Sequence, residues 1–597
     1  MNLKNPLHRA RLAEAMGYSR RALESFREHR ADALRQFVGA SYSDNGSAQQ
    51  LPINLIELAV SIFARQLAAF APRVITSTPD PMLKRTAARA ETRSNQLCDE
   101  LDLASFYERV VKEALFGIGL AKVALGSGRV VEIADTRYDV GVPFACVIDL
   151  DNWVHDTTSP ELPAAQYMGD LYRPRIDVLR DIAAFPKKFL DKLEVVEETG
   201  QNEDGSEQAK NVGHGQPKPD GIFAPKTALW DIWFPYERVI GTFKTVPGTA
   251  DIDTETEPAI VEYEGPDEGP YHTLCFNTVP GNIMPLPPVA GMMAIHDLTN
   301  SVFRKLADQA ERQKTITAAR TANRGDAERI KNAGDGAVLA VENPESVKEY
   351  KFGGVDQVSM ALTVWLKELF SYTQGNLDGL GGLSPMSETL GQDRMMLATA
   401  SKRVAVMQDK TIAFAKGVQR AIAWWDWTDP LTDNELIHRV EGTEIDVQVK
   451  LSAEERKMVN ILDLNIDIVP YSMQHSSPGE KLQSLTGIWN TFIVPAMPMM
   501  QEQGITPNLE KMLRVISKWA NMPELEDILT FAGQPSQREG GLRLPASPVK
   551  TSTNIRENRT TGGTGAGRAA GMIQSLLGGS SGGDGVNMGR TMTQGAG

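Results

Sequence analysis

The run Gly375-Asn-Leu-Asp-Gly-Leu-Gly-Gly-Leu383 separates two long stretches of helical periodicity and decides how the middle of this chain folds. Before it, one helix is predicted from Pro288 to about Thr317, because proline is tolerated in a first helical turn, and a second from Val355 to Thr373. After it, apolar residues recur at steps of three and four from Leu397 to Trp425, which predicts one very long packed helix. Long helices around a glycine-broken loop favour a structure that lines a space over one that encloses a catalytic pocket.

A compact insert lies between the first two of these helices. Residues 318–352 contain several glycines and a proline around one short predicted strand, Ala337 to Val341. The first helix would be ~45 Å long at about 1.5 Å per residue. The second helix is predicted to bury one apolar face, which comprises Val358, Leu362, Trp365, Leu366 and Leu369.

The flanking sequence predicts a mixed α+β body that is rich in helix. Alternating apolar runs between 120 and 278 indicate short strands, and a polar stretch at 197–220 indicates a surface loop. Strands are again predicted at Ile445 to Leu451 and Ile461 to Val469. Helices follow at Ser477 to Gln503, Pro507 to Ala520 and Glu524 to Phe531, and a glycine- and serine-rich flexible tail covers 534–597.

The N-terminal residues 7–40 combine helical periodicity with many basic side chains. These are Arg9, Arg11, Arg20, Arg21, Arg27, Arg30 and Arg35. The first interpretation is a solvated helix face that Glu24, Glu28 and Asp32 balance. The alternative is an arm that contacts DNA or a neighbouring protein.

Composition excludes several function classes. The formal net charge is −14, so tight coating of nucleic acid is not expected, because non-specific affinity comes from lysines and arginines that neutralise phosphates. Three distant cysteines, Cys98, Cys146 and Cys275, form neither a disulfide framework nor a zinc signature and fit a reducing cytoplasm. The apolar stretch Leu55 to Ala71 is too short and too charged to span a bilayer. No phosphate-binding loop of the G-x-x-x-x-G-K-[ST] type occurs.

One acidic cluster leaves an enzymatic alternative open. Asp149, Asp151, His155 and Asp156 lie close together in sequence, and oxygen and imidazole ligands at that spacing can hold a divalent ion. A turn with side-chain hydrogen bonds is the other interpretation. The alternative function is therefore a metal-dependent nucleic-acid enzyme that uses the Asp149–Asp156 cluster, although no cofactor or catalytic residue is predicted.

Several short motifs in order make the chain resemble the portal proteins of tailed bacteriophages, most closely those of short-tailed phages. They are Asn282-Ile-Met-Pro285-Leu-Pro287-Pro288, Asn300 through Arg312, Asp335-Gly336-Ala-Val-Leu339, Phe352-Gly353-Gly354-Val-Asp356, the run from Gly375 to Ser384, Ser387-Glu388-Thr389-Leu-Gly391-Gln392, and the stretch from Asp156 to Met168. The resemblance covers roughly residues 50–530.

The resemblance implies a cyclic ring of about twelve subunits through which double-stranded DNA passes. By analogy the chain divides into a wing (1–285, with a return at 428–476), a first stem helix (286–318), a clip (319–352), a second stem helix (353–374), a tunnel loop (375–391), a long helix (392–427), a helical crown (477–533) and the tail. The implied partners are the terminase motor, tail adaptor proteins, and the major capsid and scaffolding proteins. The implied location is the capsid portal vertex of a virion, after assembly in the host cytoplasm, with no membrane contact and no enzymatic activity.

The resemblance also implies roles for particular residues. The tunnel loop comprises Gly375, Leu377, Asp378, Gly379, Leu380, Gly381, Gly382, Leu383, Met386 and Glu388. It has no lysine or arginine, unlike basic tunnel loops, so sliding contacts are expected from its leucines and Met386. Basic candidates that face DNA are Lys305, Arg312, Lys314, Arg320 and Arg324. A clip interface with mixed charge would comprise Asp326, Glu328, Arg329, Lys331, Glu342, Glu345 and Lys348.

A second structural alternative remains beside the portal hypothesis. Another helical virion protein could use the long helix for ordinary coiled-coil assembly. Such a protein would form dimers or trimers without an axial channel.

Overall fold

The computed structural model describes residues 3–38, 53–469 and 472–473, with gaps at 129, 134–135, 182–184, 196–224, 320–324, 326–327, 330–331, 333–346, 353, 382–389 and 440–445. Beyond them it describes only 489 and 494–497 within the second of two compact units, which comprises Ser476–Gly597. The helices predicted after Ser477 and the predicted tail therefore lie almost wholly outside the described residues. The chain is 51% helix and 19% strand, so the predicted α+β class is confirmed.

Most of the helices lie in predicted helical regions with changed bounds. The helices are α1 Pro6–Ala22, α2 Glu24–Val38, α3 Leu55–Leu67, α4 Lys84–Glu100, α5 Leu103–Phe116, α6 Ile176–Asp181, α7 Lys187–Leu190, α8 Ala290–Glu311, α9 Gln357–Thr373, α10 Leu377–Leu380, α11 Leu390–Thr428 and α12 Ala453–Met458. Of these, α7, α10 and α12 were not predicted.

The strands form small antiparallel sheets. They are β1 Val74–Ser77, β2 Gly119–Gly126, β3 Val130–Ile133, β4 Thr136–Asp139, β5 Val142–Ile148, β6 Trp153–His155, β7 Met168–Tyr172, β8 Leu229–Phe234, β9 Val239–Lys244, β10 Ala259–Glu262, β11 Tyr271–Leu274, β12 Lys314–Ala319, β13 Val347–Phe352, β14 Asn434–Arg439, β15 Asp446–Leu451 and β16 Asn465–Ile468.

The long helix α11 lies at the centre of the largest hydrophobic core. It packs against α3, against β2, β5 and β11, and against β16. Its predicted apolar stripe is buried from Val404 to Ile422, with Phe414 and Val418 in contact with the same core as α3 and α5. The interpretation of this stripe as core is therefore confirmed for the residues whose burial is described.

Two larger sheets face each other beside this helical core. The order of the five-stranded sheet is β10-β9-β8-β7-β6, so each strand pairs with its neighbour in sequence. The order of the three-stranded sheet is β11-β2-β5, and side chains of both sheets, including Leu120 and Trp233, share one hydrophobic cluster. A separate two-stranded pair joins β1 to β16, which aligns Val74 with Ile468.

The chain interrupts its helices at two positions in the first third. The helical periodicity predicted at 7–40 belongs to two helices, α1 and α2, that meet at Leu23, whose side chain is buried. Helices α4 and α5 are separated at Asp102, which has a left-handed backbone with φ of +46°. Left-handed backbone cannot continue a right-handed helix, so α4 ends and α5 starts in a new direction.

The helix predicted from Pro288 to about Thr317 is also too long. Helix α8 ends at Glu311, and Lys314–Ala319 is strand β12. Thr315, Ile316 and Thr317 are β-branched side chains that favour strand over helix, so the helix stops where this run begins. In the part of the chain that is described, no helix is both long enough and apolar enough to cross a membrane.

Candidate functional site

The candidate site comprises the paired helices α8 and α9 with the ribbon between them. The two helices pack side by side, and β12 pairs with β13 in antiparallel register from Lys314↔Phe352 to Ala319↔Val347. The backbone N–H of Asp356 donates to Gln309 Oε1 at 3.1 Å and so links the start of α9 to α8. Asp356 also caps α9, because its carboxylate accepts from the backbone N–H groups of Val358 and Ser359. The insert therefore begins as a two-stranded ribbon that extends from one end of the packed helix pair.

Helix α9 buries only part of the predicted face. Leu366 and Phe370 are each 2% exposed, whereas Val358 is 76% exposed and Trp365 55% exposed. The prediction of burial is confirmed for Leu366 and wrong for Val358, Leu362 and Trp365 in this single chain.

Five apolar residues of α9 form a regular stripe, and Met360 and Val364 are exposed outside it. Val358, Leu362, Trp365, Leu369 and Tyr372 follow one another at steps of four, three, four and three. Leu369 is half-buried and the other four are exposed. This spacing places them along one side of the helix, as in a coiled-coil seam. Exposed apolar surface of this kind marks an interaction site more often than it marks ordinary solvent-facing surface.

The glycine-broken run begins as a tight turn. Gly375 has φ of +86° and Asn376 has φ of +59°, both in the left-handed region that glycine and asparagine tolerate best. The backbone N–H of Asn376 donates to the carbonyl of Ser371 at 2.8 Å and reverses the chain after α9.

The residues after this turn are packed rather than loose. Leu377 and Leu380 belong to the short helix α10, and Leu377 is 2% exposed within the main core. The expectation that Leu377 makes sliding contacts is therefore wrong, because its side chain is already buried. Leu380 and Asp378 are half-buried, Gly381 is exposed, and Gly379 lies within α10. Gly382, Leu383, Met386 and Glu388 lie outside the described residues.

The basic candidates are only partly brought together. Lys305 lies on α8 and Arg312 directly follows its last residue; both are exposed, and their spacing of seven places them about two turns apart on one side of the helix. Asp308 and Glu311 are exposed on the same helix, which gives it mixed charge. Lys314 lies in β12, and Arg320 and Arg324 lie outside the described residues.

The clip set is described at three positions. Glu328 and Arg329 are exposed helical residues, and Lys348 lies in β13. Asp326, Lys331, Glu342 and Glu345 lie outside the described residues. The surface that these seven would share is therefore a prediction from sequence.

The acidic side chains of the cluster at 149–156 contact separate partners within the protein. Arg30 Nη1 contacts Asp149 Oδ1 at 3.0 Å and Asp151 Oδ1 at 3.8 Å, so these carboxylates face a buried guanidinium. Asp156 accepts hydrogen bonds from Thr158 Oγ1 at 2.6 Å and from the backbone N–H of Gln166. Burial opposes ionisation of Asp156, but these hydrogen bonds outweigh it and lower its pKa. Among the described residues, no group of three histidine, cysteine or acidic side chains is placed to hold a metal ion.

The side chain of His155 also has a structural role. Its Nδ1 accepts a hydrogen bond from Trp153 Nε1 at 3.1 Å, and the side chain is buried. Burial lowers the pKa of His155 to about 4, so the ring is neutral near pH 7. The turn interpretation of this cluster agrees with these contacts better than the metal interpretation does.

Several N-terminal arginines face the protein body, which sequence reasoning missed. Arg9 Nε donates to the carbonyl of Thr254 at 2.8 Å, and Arg27 Nη2 donates to that of Trp153 at 2.9 Å. Arg30 is 4% exposed and contacts Glu113 in addition to Asp149. For these three residues both earlier interpretations, a solvated face and a DNA-contacting arm, are wrong. Arg11 and Arg21 are exposed.

Comparison with known proteins gives no family for this chain. No protein-family model matches it, and no curated protein matches it.

Proposed function

We propose that this chain is the subunit of a portal-type ring, a non-enzymatic conduit for double-stranded DNA at a capsid vertex. The proposal starts from the resemblance of its sequence motifs to portal proteins. The order of elements supports it: helix α8, a ribbon-based insert, helix α9, a glycine turn and the 39-residue helix α11. These elements follow the order of stem, clip, stem, tunnel loop and long helix in that family.

The observation that carries the proposal is the exposed apolar stripe of α9. Val358, Leu362, Trp365 and Tyr372 face solvent in the single chain at coiled-coil spacing. Burial of apolar area is worth roughly 25 cal/mol per Å², so covering four such side chains stabilises an assembly substantially. A ring places the same surface of every subunit against a different surface of the next, which leaves no stripe uncovered.

The proposed ring gives each part of the helix pair a role. The ribbon end would dock the terminase during packaging and tail adaptor proteins afterwards, while the body contacts capsid and scaffolding proteins. The mixed charge of α8, with Lys305 and Arg312 beside Asp308 and Glu311, suits DNA that must slide. The segment after α10 is the proposed tunnel loop, and α10 anchors its start through Leu377.

Electron microscopy of the purified protein with native mass measurement tests the assembly. We expect rings of about twelve subunits with an axial hole wide enough for duplex DNA. The variant V358E/W365E should remain monomeric with unchanged circular dichroism, because two buried carboxylates in an apolar contact are costly. The matched control is K367E, which changes charge at an exposed position on the opposite side of α9.

One result would contradict the proposed ring, and another would contradict only the role of the stripe in it. Compact dimers or trimers without a hole would favour the other structural alternative, a coiled-coil virion protein. Rings of V358E/W365E would show that the stripe is not the contact, although the ring itself would stand.

A further inference from the structure

A charged layer lies between the two facing sheets. Along β2, Leu120 and Lys122 point to one side and Ala121 and Val123 to the other, because side chains alternate on a strand. Ala121 and Val123 belong to the helical core, whereas Leu120 belongs to the cluster between the sheets. Lys122 therefore enters an otherwise apolar layer, where a cation is costly unless it is paired.

The facing sheet presents two acidic residues to this lysine. Asp170 on β7 and Asp231 on β8 are directly paired in register. Like charges directly opposite each other destabilise a strand pair, so the five-stranded sheet carries a local repulsion of its own. Lys122 Nζ lies 2.9 Å from Asp170 Oδ1 and 2.7 Å from Asp231 Oδ2, so one cation from the other sheet contacts both carboxylates and offsets part of their repulsion.

Neighbouring hydroxyl groups complete the layer. Tyr271 OH donates to Asp170 Oδ1 at 2.6 Å, and Tyr271 is the register partner of Lys122. Tyr172 OH and Thr242 Oγ1 both donate to Asp231 Oδ1. Burial lowers the pKa of Lys122, but Asp231 and Asp170 raise it by more, so the lysine stays charged. Every charge in this layer thus depends on contacts across the two sheets.

On the face that points away from Lys122, the five-stranded sheet packs against helix α1 and forms a unit with it. Its strands run consecutively from Trp153 to Glu262. Its outer face has its own hydrophobic cluster, formed with Leu12 and Met16 of α1. Arg9 and Arg20 tie α1 to Thr254 and Asp251 of the same segment, whereas Arg30 of α2 bonds Glu113 of α5.

We propose that Lys122 is a latch that holds the five-stranded sheet and helix α1, as one unit, against the rest of the molecule. When the latch is broken, two adjacent buried carboxylates repel each other, and the unit opens while α5 and α11 stay folded. The boundary between moving and fixed parts then lies at Leu23, between α1 and α2, and opening also breaks the hydrogen bond from Arg27 of α2 to the carbonyl of Trp153 in β6. The latch acts within one subunit, so it does not depend on ring assembly.

Hydrogen exchange of the full chain, with mass spectrometric readout, tests the latch. In K122M we expect protection in strands β6–β10 to fall roughly 100-fold or more, with little change in α5 and α11. The matched control is K244M. Lys244 is equally buried on β9 but pairs with the exposed Glu194 at 2.8 Å, so its loss should change protection less than about tenfold.

A neutral triple variant separates the latch from general core damage. K122M/D170N/D231N removes the cation together with both charges that need it, so we expect protection within about tenfold of the wild-type protein. A uniform loss of protection in K122M, including α5 and α11, would overturn the proposal, and so would no loss in β6–β10. If K122M does not fold, recovery of folding in the triple variant supports the latch, and failure to recover contradicts it.

Discussion

Buried arginines show how single residues determine the position of the N-terminal helices. Arg30 reaches Asp149, which is 119 positions away in sequence, and Glu113, which is 83 positions away. Sequence showed the arginines and the acidic cluster as two separate features, because nothing local to either one indicates its distant partner. The same contact removes the case for a metal site and the case for a DNA-binding arm at these positions.

Replacing Arg30 should therefore destabilise the fold. In R30Q we expect the free energy of unfolding to fall by about 2–3 kcal/mol, because Glu113 and Asp149 lose a buried partner. Denaturant unfolding measures this change. The control is R35Q, since the Arg35–Asp32 contact is largely exposed and its loss should cost less than about 0.5 kcal/mol. Equal effects in the two variants would contradict a special role for Arg30.

His155 should make stability depend on pH in the mildly acidic range. Burial lowers its pKa from 6.5 to about 4, so the unfolded chain binds a proton that the folded protein does not. The contribution is fully present above pH 6.5 and is lost as the pH falls towards 4, by roughly 3 kcal/mol. Thermal unfolding between pH 4 and 7 should show a shallower slope in H155Q than in the wild-type protein. The exposed His29 is the control, and an equal slope change in H29Q would count against this assignment.

At the scale of elements, the periodicity of the sequence predicted that a helix exists better than it predicted where the helix ends or which face it buries. The long helix was predicted because its stripe of buried residues has a helical period, and α11 spans Leu390–Thr428. The end of α8 was missed because a β-branched run overrides the preceding helical pattern. The buried face of α9 was predicted only in part because both of its sides are apolar, and tertiary packing buries Leu366 and Phe370.

The break between α4 and α5 offers a test of backbone strain. Asp102 adopts φ of +46° and ψ of 51°, which β-branched side chains resist. We expect D102V to lower the free energy of unfolding by about 1–2 kcal/mol and D102G to change it by less than about 1 kcal/mol. Chemical denaturation of both variants measures the difference. If D102V were as stable as D102G, the left-handed turn would not constrain this junction.

For the whole molecule, the sequence predicted the α+β class but not the arrangement of the sheets. The order β10-β9-β8-β7-β6 pairs strands that are consecutive in sequence, whereas the pairing of β2 with β11 and of β1 with β16 joins distant segments. Charge is the global property that sequence does give directly. It is −14 in total, which bears on the proposed contact with DNA.

The acidic surface should keep DNA binding weak. At physiological salt we expect the purified chain to bind a short duplex with a Kd near the weak end of the non-specific range, about 0.1 mM. Fluorescence anisotropy of a labelled duplex measures this. In K305Q/R312Q the remaining affinity and its salt dependence should both fall, whereas D308N should not weaken binding. Submicromolar affinity would contradict a sliding conduit.

The pairing of β1 with β16 also sets a minimum time for which β1 must wait for its partner during protein synthesis. Their partners lie about 390 residues apart, so β1 leaves the ribosome long before β16 is made. At about 5–20 residues per second, the wait is roughly 20–80 s. Throughout that interval β1 has an unpaired edge, and α3 and α5 lack the long helix that later covers them. Nascent chains of this protein should therefore depend on chaperones until synthesis passes residue 468.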